Sequence, residues 1–330
     1  MQTGIAVIGT IFVDYKGFAR AGYQPNGRNL GRVAVTPGGV ARNVAVNMRC
    51  LGMDTWLVST LNQDGECLLL KNRLSGYGIR LDCLATVASG GIGAWLAIIG
   101  QGGDLLGSVS HMPDVSVMEA AIIPALPAVF PKVEGVALEV DLSEKIARAV
   151  FAEAAAKNVK IYALPGNLSI IGKNYGFFRN MECFICNEVE AGALMRKDIG
   201  EPEKMLPEAI AFAREQKLKN FVVTLGEKGA VYIDSQGRSG FQGIYPAAAV
   251  DSTGAGDAFF SAAVAALLRG ETLAGAVDCG ARVASLVIGS GESDCSGLNI
   301  QAGSRPFKPR GALPAGDGPP RPEGGGAGQD

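Results

Sequence analysis

Short apolar segments alternate along this chain with stretches of helix-forming residues, and that alternation limits the fold more than any single motif. Residues 4–9, 55–60, 136–140, 159–163, 183–186 and 221–224 read as strands; 38–52, 66–74, 143–158, 207–216, 258–269 and 273–288 read as helices. Strands separated by helices of about 10–15 residues form βαβ units, which build a mostly parallel sheet covered on both faces. Ser143 stands where a helix N-cap belongs, and Gly52 where a helix would close. Residues 120–132, with Pro124, Pro127 and Pro131, read as a loop or a broken helix.

Two stretches depart from the pattern. Residues 11–37 are rich in Gly, Asn, Arg and aromatics, and residues 91–110 hold two apolar runs flanking Gln101-Gly102-Gly103-Asp104, a hairpin signal. Together they predict a small β-sheet standing off the main body as a lid. From residue 301 the chain is Gly- and Pro-rich with hardly an apolar anchor, so the expected division is one domain over 1–300 and a disordered tail over 301–330.

Composition narrows the function. With 30 basic and 32 acidic residues the net charge is −2, which favours neither nucleic acid nor an anionic membrane as partner. No apolar run is read as reaching the ~18–20 residues of a membrane span, and the N-terminus lacks the marks of a signal peptide. Seven scattered cysteines read as reduced thiols of a cytoplasmic protein. Cys183 and Cys186 form a C-x-x-C, but on a strand that spacing sends the sulfurs to opposite faces. With His111 the only histidine, neither a zinc site nor histidine chemistry is expected.

The stretch Gly254-Ala255-Gly256 lies at the start of an apolar helix. Amides there lack intrahelical partners and carry about half a positive charge, and the glycines admit a ligand close to the backbone. Those are the makings of an anion hole. Asp257 in the first turn is either an ordinary first-turn acid or a base beside the anion, held ionised at pH 7 by the helix N-terminus. Gly38-Gly39 opens an earlier helix, with Asn43 one turn in; this is a ligand-admitting turn or only a turn with a solvated Asn. Neither G-x-x-x-x-G-K-[ST] nor a G-x-G-x-x-G after the first strand is present, which weakens a dinucleotide dehydrogenase reading.

Asp251-Ser252-Thr253-Gly254-Ala255-Gly256-Asp257 resembles the second signature of the PfkB, or ribokinase-like, carbohydrate kinases, and Gly38-Gly39-x-x-x-Asn43 resembles their first. Asn187-x-x-Glu190 is similar to their N-x-x-E motif, and Thr224-x-Gly226-x-x-Gly229 to their nucleotide loop. The resemblance implies a ribokinase-like three-layer α/β/α fold with a β lid, often dimeric through that lid, moving the ATP γ-phosphate to a hydroxymethyl group. It assigns Asp257 as base and the Gly254, Ala255 and Gly256 amides as anion hole. Thr224, Gly226 and Gly229 would line the nucleotide, and Asn187 and Glu190 would help position Mg²⁺. Asp251 and the Thr253 carbonyl match positions around a monovalent cation, K⁺. Asp14, Lys16, Gly38, Gly39 and Asn43 would hold the sugar. Asn187 as a helix cap, Thr224 as a plain strand residue and Lys16 as an exposed lysine are the open alternatives. Within the family, residues 13–17, 29–33, 38–43 and 95–105 look most like pseudouridine kinases, implying 5′-phosphorylation of that nucleoside. Ribose, inosine or adenosine follow as substrates, and a non-catalytic nucleoside or sugar sensor is the alternative of another class.

Overall fold

The computed structural model describes residues 4–101, 104–197, 201–247, 253–290 and 292–298. The turn glycines Gly102 and Gly103, most of the strand expected at 247–250, Asp251, and the tail from 301 lie outside the described residues. Within them, nine strands form one sheet in the order β13-β12-β11-β10-β9-β8-β1-β4-β5. β1 (Gly4–Ile8), β4 (Asp54–Asn62), β5 (Leu84–Val87), β8 (Gly135–Glu139), β9 (Lys160–Leu164), β10 (Cys183–Asn187) and β11 (Asn220–Thr224) run parallel. β12 (Ala230–Asp234) and β13 (Ser239–Gln242) finish one edge antiparallel.

Strand alternation divides the core in two. Ile5 and Val7 of β1 face a layer made by α1 (Val40–Cys50), α2 (Gly65–Gly76), α7 (Ala255–Leu268) and α8 (Leu273–Ser290). Ala6 and Ile8 face α3 (Val115–Val129), α4 (Glu144–Lys157), α5 (Glu188–Met195) and α6 (Pro202–Gln216). Cys183 and Cys186 fall in opposite layers, as their odd spacing requires. All seven cysteines are thiols outside any disulfide. Ser143 caps α4 as expected, accepting from the Lys145 and Ile146 amides.

The proline-rich stretch corrects the sequence reading: α3 runs unbroken through Pro124 and Pro127. Both prolines are exposed, so a carbonyl deprived of its amide partner, such as that of exposed Ala120, is left to water rather than to the core. The inward stripe Met118, Ile122, Leu126 and Val129 stays intact. Two helical runs, 115–132 and 273–290, also reach 18 residues with mean hydropathies of 1.4 and 1.3, so the expected absence of apolar runs of that length does not hold. Their inward residues, Ile122 and Leu126 in one and Val277 and Val283 in the other, are packed in the two cores.

A second sheet, in the order β3-β2-β6-β7, is the lid. β2 (Phe12–Ala19) pairs antiparallel with β3 (Gly31–Gly38) and parallel with β6 (Gly93–Ile99), and β6 turns back into β7 (Leu105–His111). Register sets its two faces. Thr36, Asp14, Trp95 and Ser110 are neighbours across the strands on one face, and Val35, Tyr15, Leu96 and Val109 on the other.

Candidate active site

Helix α7 starts at Gly254, whose φ of 80° and ψ of −4° lie in the left-handed region that favours glycine. A Cβ there would stand 2.0 Å from the Ser293 carbonyl oxygen. Among the described residues no side-chain hydrogen bond caps the helix, and the first intrahelical bond runs from the Ala258 amide to the Gly254 carbonyl at 2.9 Å. The amides of Ala255, Gly256 and Asp257 therefore precede the hydrogen-bond ladder, as an anion hole requires. Thr253, Gly254 and Asp257 line a cleft of about 600 Å³ together with Asp14, Gly39 and Asn43.

Asn43 is buried rather than solvated, and its Nδ2 donates to Asp257 Oδ2 at 2.8 Å. Asp257 lines this cleft and is partly exposed. Burial pushes its carboxyl from the usual 3.8 up to about 7; the Asn43 hydrogen bond and Arg42 pull it back, while Glu139 and Glu190 push it further. The expectation of a carboxylate held fully ionised at pH 7 is thus corrected: desolvation outweighs the helix terminus. If the ionised form is the working one, kcat/KM rises as pH rises through about 7, a limb that a pH–rate profile will show.

The double glycine has two steric reasons. A Cβ on Gly38 would sit 2.4 Å from Asp14 Oδ2, and one on Gly39, at φ 92°, would meet Ile11, Phe12 and Thr10 backbone atoms at 2.7 Å. Asp14 is buried, and desolvation raises its pKa against the pull of Lys16 and Arg42. Lys16 shares the Asp14 face of β2 but is not among the cleft-lining residues.

Three residues that sequence reasoning missed complete the cleft. Thr10 donates to Glu139 Oε2 from its amide at 2.7 Å and its hydroxyl at 2.9 Å. Glu139 ends β8 fully inside the protein, where burial raises its pKa. Gly9 and Gly166 make room for its carboxylate, since a Cβ on either would come within 2.7 or 2.9 Å of its oxygens. Those glycines, each just past a strand, were the available signal. Asp141 accepts from the amides of Gly166, Ile170 and Ile171 at 3.2, 2.8 and 3.0 Å and so shapes the loop carrying Asn167. Asp141→Ala orphans those amides and is expected to cost about 1–3 kcal/mol, read as a lowered denaturation midpoint.

The predicted nucleotide residues lie beside this cleft rather than in its lining. Asn187 and Thr224 are partners in the β10–β11 ladder, so the two motifs end on adjacent strands. Gly226 and Gly229 take φ of 58° and 99°, and a Cβ on Gly229 would strike the Gln242 carbonyl at 2.1 Å. Asn187 does cap α5, in a reciprocal box with Glu190 at 2.8 and 2.9 Å. Burial raises the Glu190 pKa, and Glu188 Oε2 is buried without a hydrogen-bond partner among the described residues. Among the described residues no three acidic, Cys or His side chains converge as a metal cage. Mg²⁺ ordinarily binds one or two carboxylates, phosphates and water rather than such a cage.

Comparison with known proteins agrees with this geometry. A family model described as pfkB family carbohydrate kinase matches residues 2–296. The chain is 34% identical to the guanosine-inosine kinase of Exiguobacterium acetylicum over 88% of its own length and 95% of that protein. It is 24% identical to the pseudouridine kinase of Escherichia coli, covering 78% of this chain and 81% of the other. The structure of Arabidopsis thaliana ribokinase with ribose and ATP superposes with a TM-score of 0.74 at 21% identity, covering 87% and 93% of the two chains, which establishes the ribokinase-like fold. With all its site motifs inside the matched span, the chain belongs to the pfkB family of carbohydrate kinases, enzymes that phosphorylate a sugar or nucleoside hydroxyl.

Proposed function

We propose that the protein is an ATP-dependent nucleoside kinase acting on a 5′-hydroxyl, with a guanosine- or inosine-type purine nucleoside ahead of pseudouridine. The observation that carries this reading is the 2.8 Å contact between Asn43 and Asp257 in a cleft that Asp14 also lines. Beyond these polar groups the cleft is lined by Phe12, Trp95, Met112, Val115, Met118 and Leu142, an apolar end suited to a stacked base. The 34% relative named guanosine-inosine kinase favours a purine. Pseudouridine keeps second place on the residues 13–17, 29–33, 38–43 and 95–105 and the 24% relative.

In this reading Asp14, Asn43 and Glu139 pair with ribose hydroxyls, Gly38 and Gly39 letting the sugar approach. Asp257, with Oδ2 held by Asn43, takes the 5′-hydroxyl proton on its other oxygen as that hydroxyl attacks the γ-phosphorus. The Gly254, Ala255 and Gly256 amides face the transferring phosphoryl group, and Thr224, Gly226 and Gly229 run along the nucleotide. Glu190, near Asn187, would hold Mg²⁺ through phosphates and water, where the ion would supply positive charge to the phosphate oxygens. Thr253 lies at the edge of the proposed K⁺ site; Asp251, the other residue proposed for it, is outside the described residues.

ADP release measured with guanosine, inosine, pseudouridine and ribose tests the assignment. Turnover of a nucleoside but not of its 5′-deoxy analogue is expected. Turnover of ribose alone would overturn the nucleoside reading, and tight binding without turnover would make the protein a sensor. The free thiols fit a cytoplasmic enzyme, and residues 1–300 are proposed as its single catalytic domain. The lid face bearing exposed Val33, Val35, Leu96 and Val109 is proposed to pair with a second copy. Val35→Glu is expected to give a monomer by sedimentation.

A further inference from the structure

Arg42 is a buried cation beside the site with no role in the scheme above. Its guanidinium pairs with buried Asp294 at 2.5 Å, and the same Nη1 donates to Asn43 Oδ1 at 2.9 Å. Asp294 also accepts from the Ser296 amide at 2.7 Å, and Asn47, one turn after Asn43, accepts from the Cys295 amide at 2.8 Å. The segment 292–298 is thereby fastened to α1 at two points, while its Ser293 carbonyl closes over Gly254.

An arginine has donors only. Facing Arg42, the Asn43 amide must turn its oxygen toward the guanidinium and its NH₂ toward Asp257. A carboxylate that receives an N–H is stabilised in its ionised form, and one oxygen remains for the substrate. Turned the other way, the amide oxygen would favour the protonated acid. We infer that Arg42 and Asp294 are positioning residues for phosphoryl transfer: the buried pair fixes the orientation of the Asn43 amide and so keeps Asp257 in its proton-accepting form. This rests on Asp257 being the base. Glu139 from β8 and Glu190 from α5 also face Asp257 and oppose its ionisation, so Arg42 is the cation among its neighbours that favours it.

The test is the double variant Arg42→Met/Asp294→Leu, with Asp294→Asn and Asp257→Asn alongside, assayed for kcat, KM, pH profile and melting temperature. Removing both charges together leaves no unpaired buried ion, so the double variant is expected to fold. Its kcat at pH 7 should fall about fivefold, with the acid limb of kcat/KM moved up by about one pH unit. Asp294→Asn, which keeps its cap and its shape, should move the limb the same way by less. A purely structural pair would change melting temperature and leave the limb in place. A wild-type limb in the double variant, or in Asp294→Asn should the double variant not fold, overturns the inference. If Asp257→Asn is inactive while that limb stays put, only this inference fails; if Asp257→Asn turns over normally, the assignment of the base fails first.

Discussion

Asp257→Asn is expected to lower kcat by roughly 10²–10⁴-fold, the range for loss of a general base. Nucleoside binding should survive, because the new amide oxygen can still accept from Asn43. Stability gives an independent reading of the same residue. Burial holds the folded-state pKa of Asp257 near 7, above the ordinary 3.8. A group raised in this way contributes stability that is fully present below the unfolded value and lost as pH climbs through the folded one. The wild type should therefore lose stability between about pH 4 and 7 from this carboxyl, and Asp257→Asn should show a flatter curve there. Wild-type turnover by the variant would remove Asp257 from the chemistry, and unchanged pH dependence of melting would deny its buried titration.

Gly254→Ala is expected to have the other large effect, on activity and folding together. Its left-handed backbone costs a residue with a side chain roughly 1–2 kcal/mol. The added Cβ would also sit 2.0 Å from the Ser293 carbonyl oxygen, a backbone atom that cannot swing aside as a side chain would. Either the turn or segment 292–298 must shift, and both border the amides proposed to receive the phosphoryl group. A loss of about 10²–10³-fold in kcat is expected from displaced donors, with a lowered melting temperature. Gly256→Ala makes the contrast. A Cβ there meets nothing within 4 Å, so melting should stay within about 0.5 kcal/mol of wild type. Equal melting temperatures for the two variants would show that the turn is not sterically locked.

Much of the site was legible in the sequence because its parts are local. Gly254 to Asp257, Gly38 to Asn43 and Asn187 to Glu190 each span a single helix start, where residue type and spacing dictate geometry. Asp14 was legible only through the family resemblance, which places an acid just after the first strand. Glu139 was not: it closes an apolar strand that reads as core, and its partner Thr10 lies 129 residues away. The Arg42–Asp294 pair joins residues even farther apart in sequence, and nothing in either neighbourhood announces the other. The ionisation of Asp257 was misjudged for a related reason, since burial is set by distant elements that spacing does not report. The expected strands and helices followed their periodicity, although short β5 and α5 were not among them, whereas α3 did not follow its prolines. Propensity weighs the loss of hydrogen bonds but not which face of the helix loses them.

Strand β3 runs through Gly38 and Gly39 directly into α1, so the lid and the helix carrying Asn43 are one continuous piece of chain. Asp14 rides on the lid side of that joint and Asp257 on the main body. A tilt of the lid would therefore separate the group proposed to hold the sugar from the group proposed to deprotonate it. Admission of substrate, readiness to react and escape of product would then be three positions of a single lever, whose fulcrum is two residues without side chains.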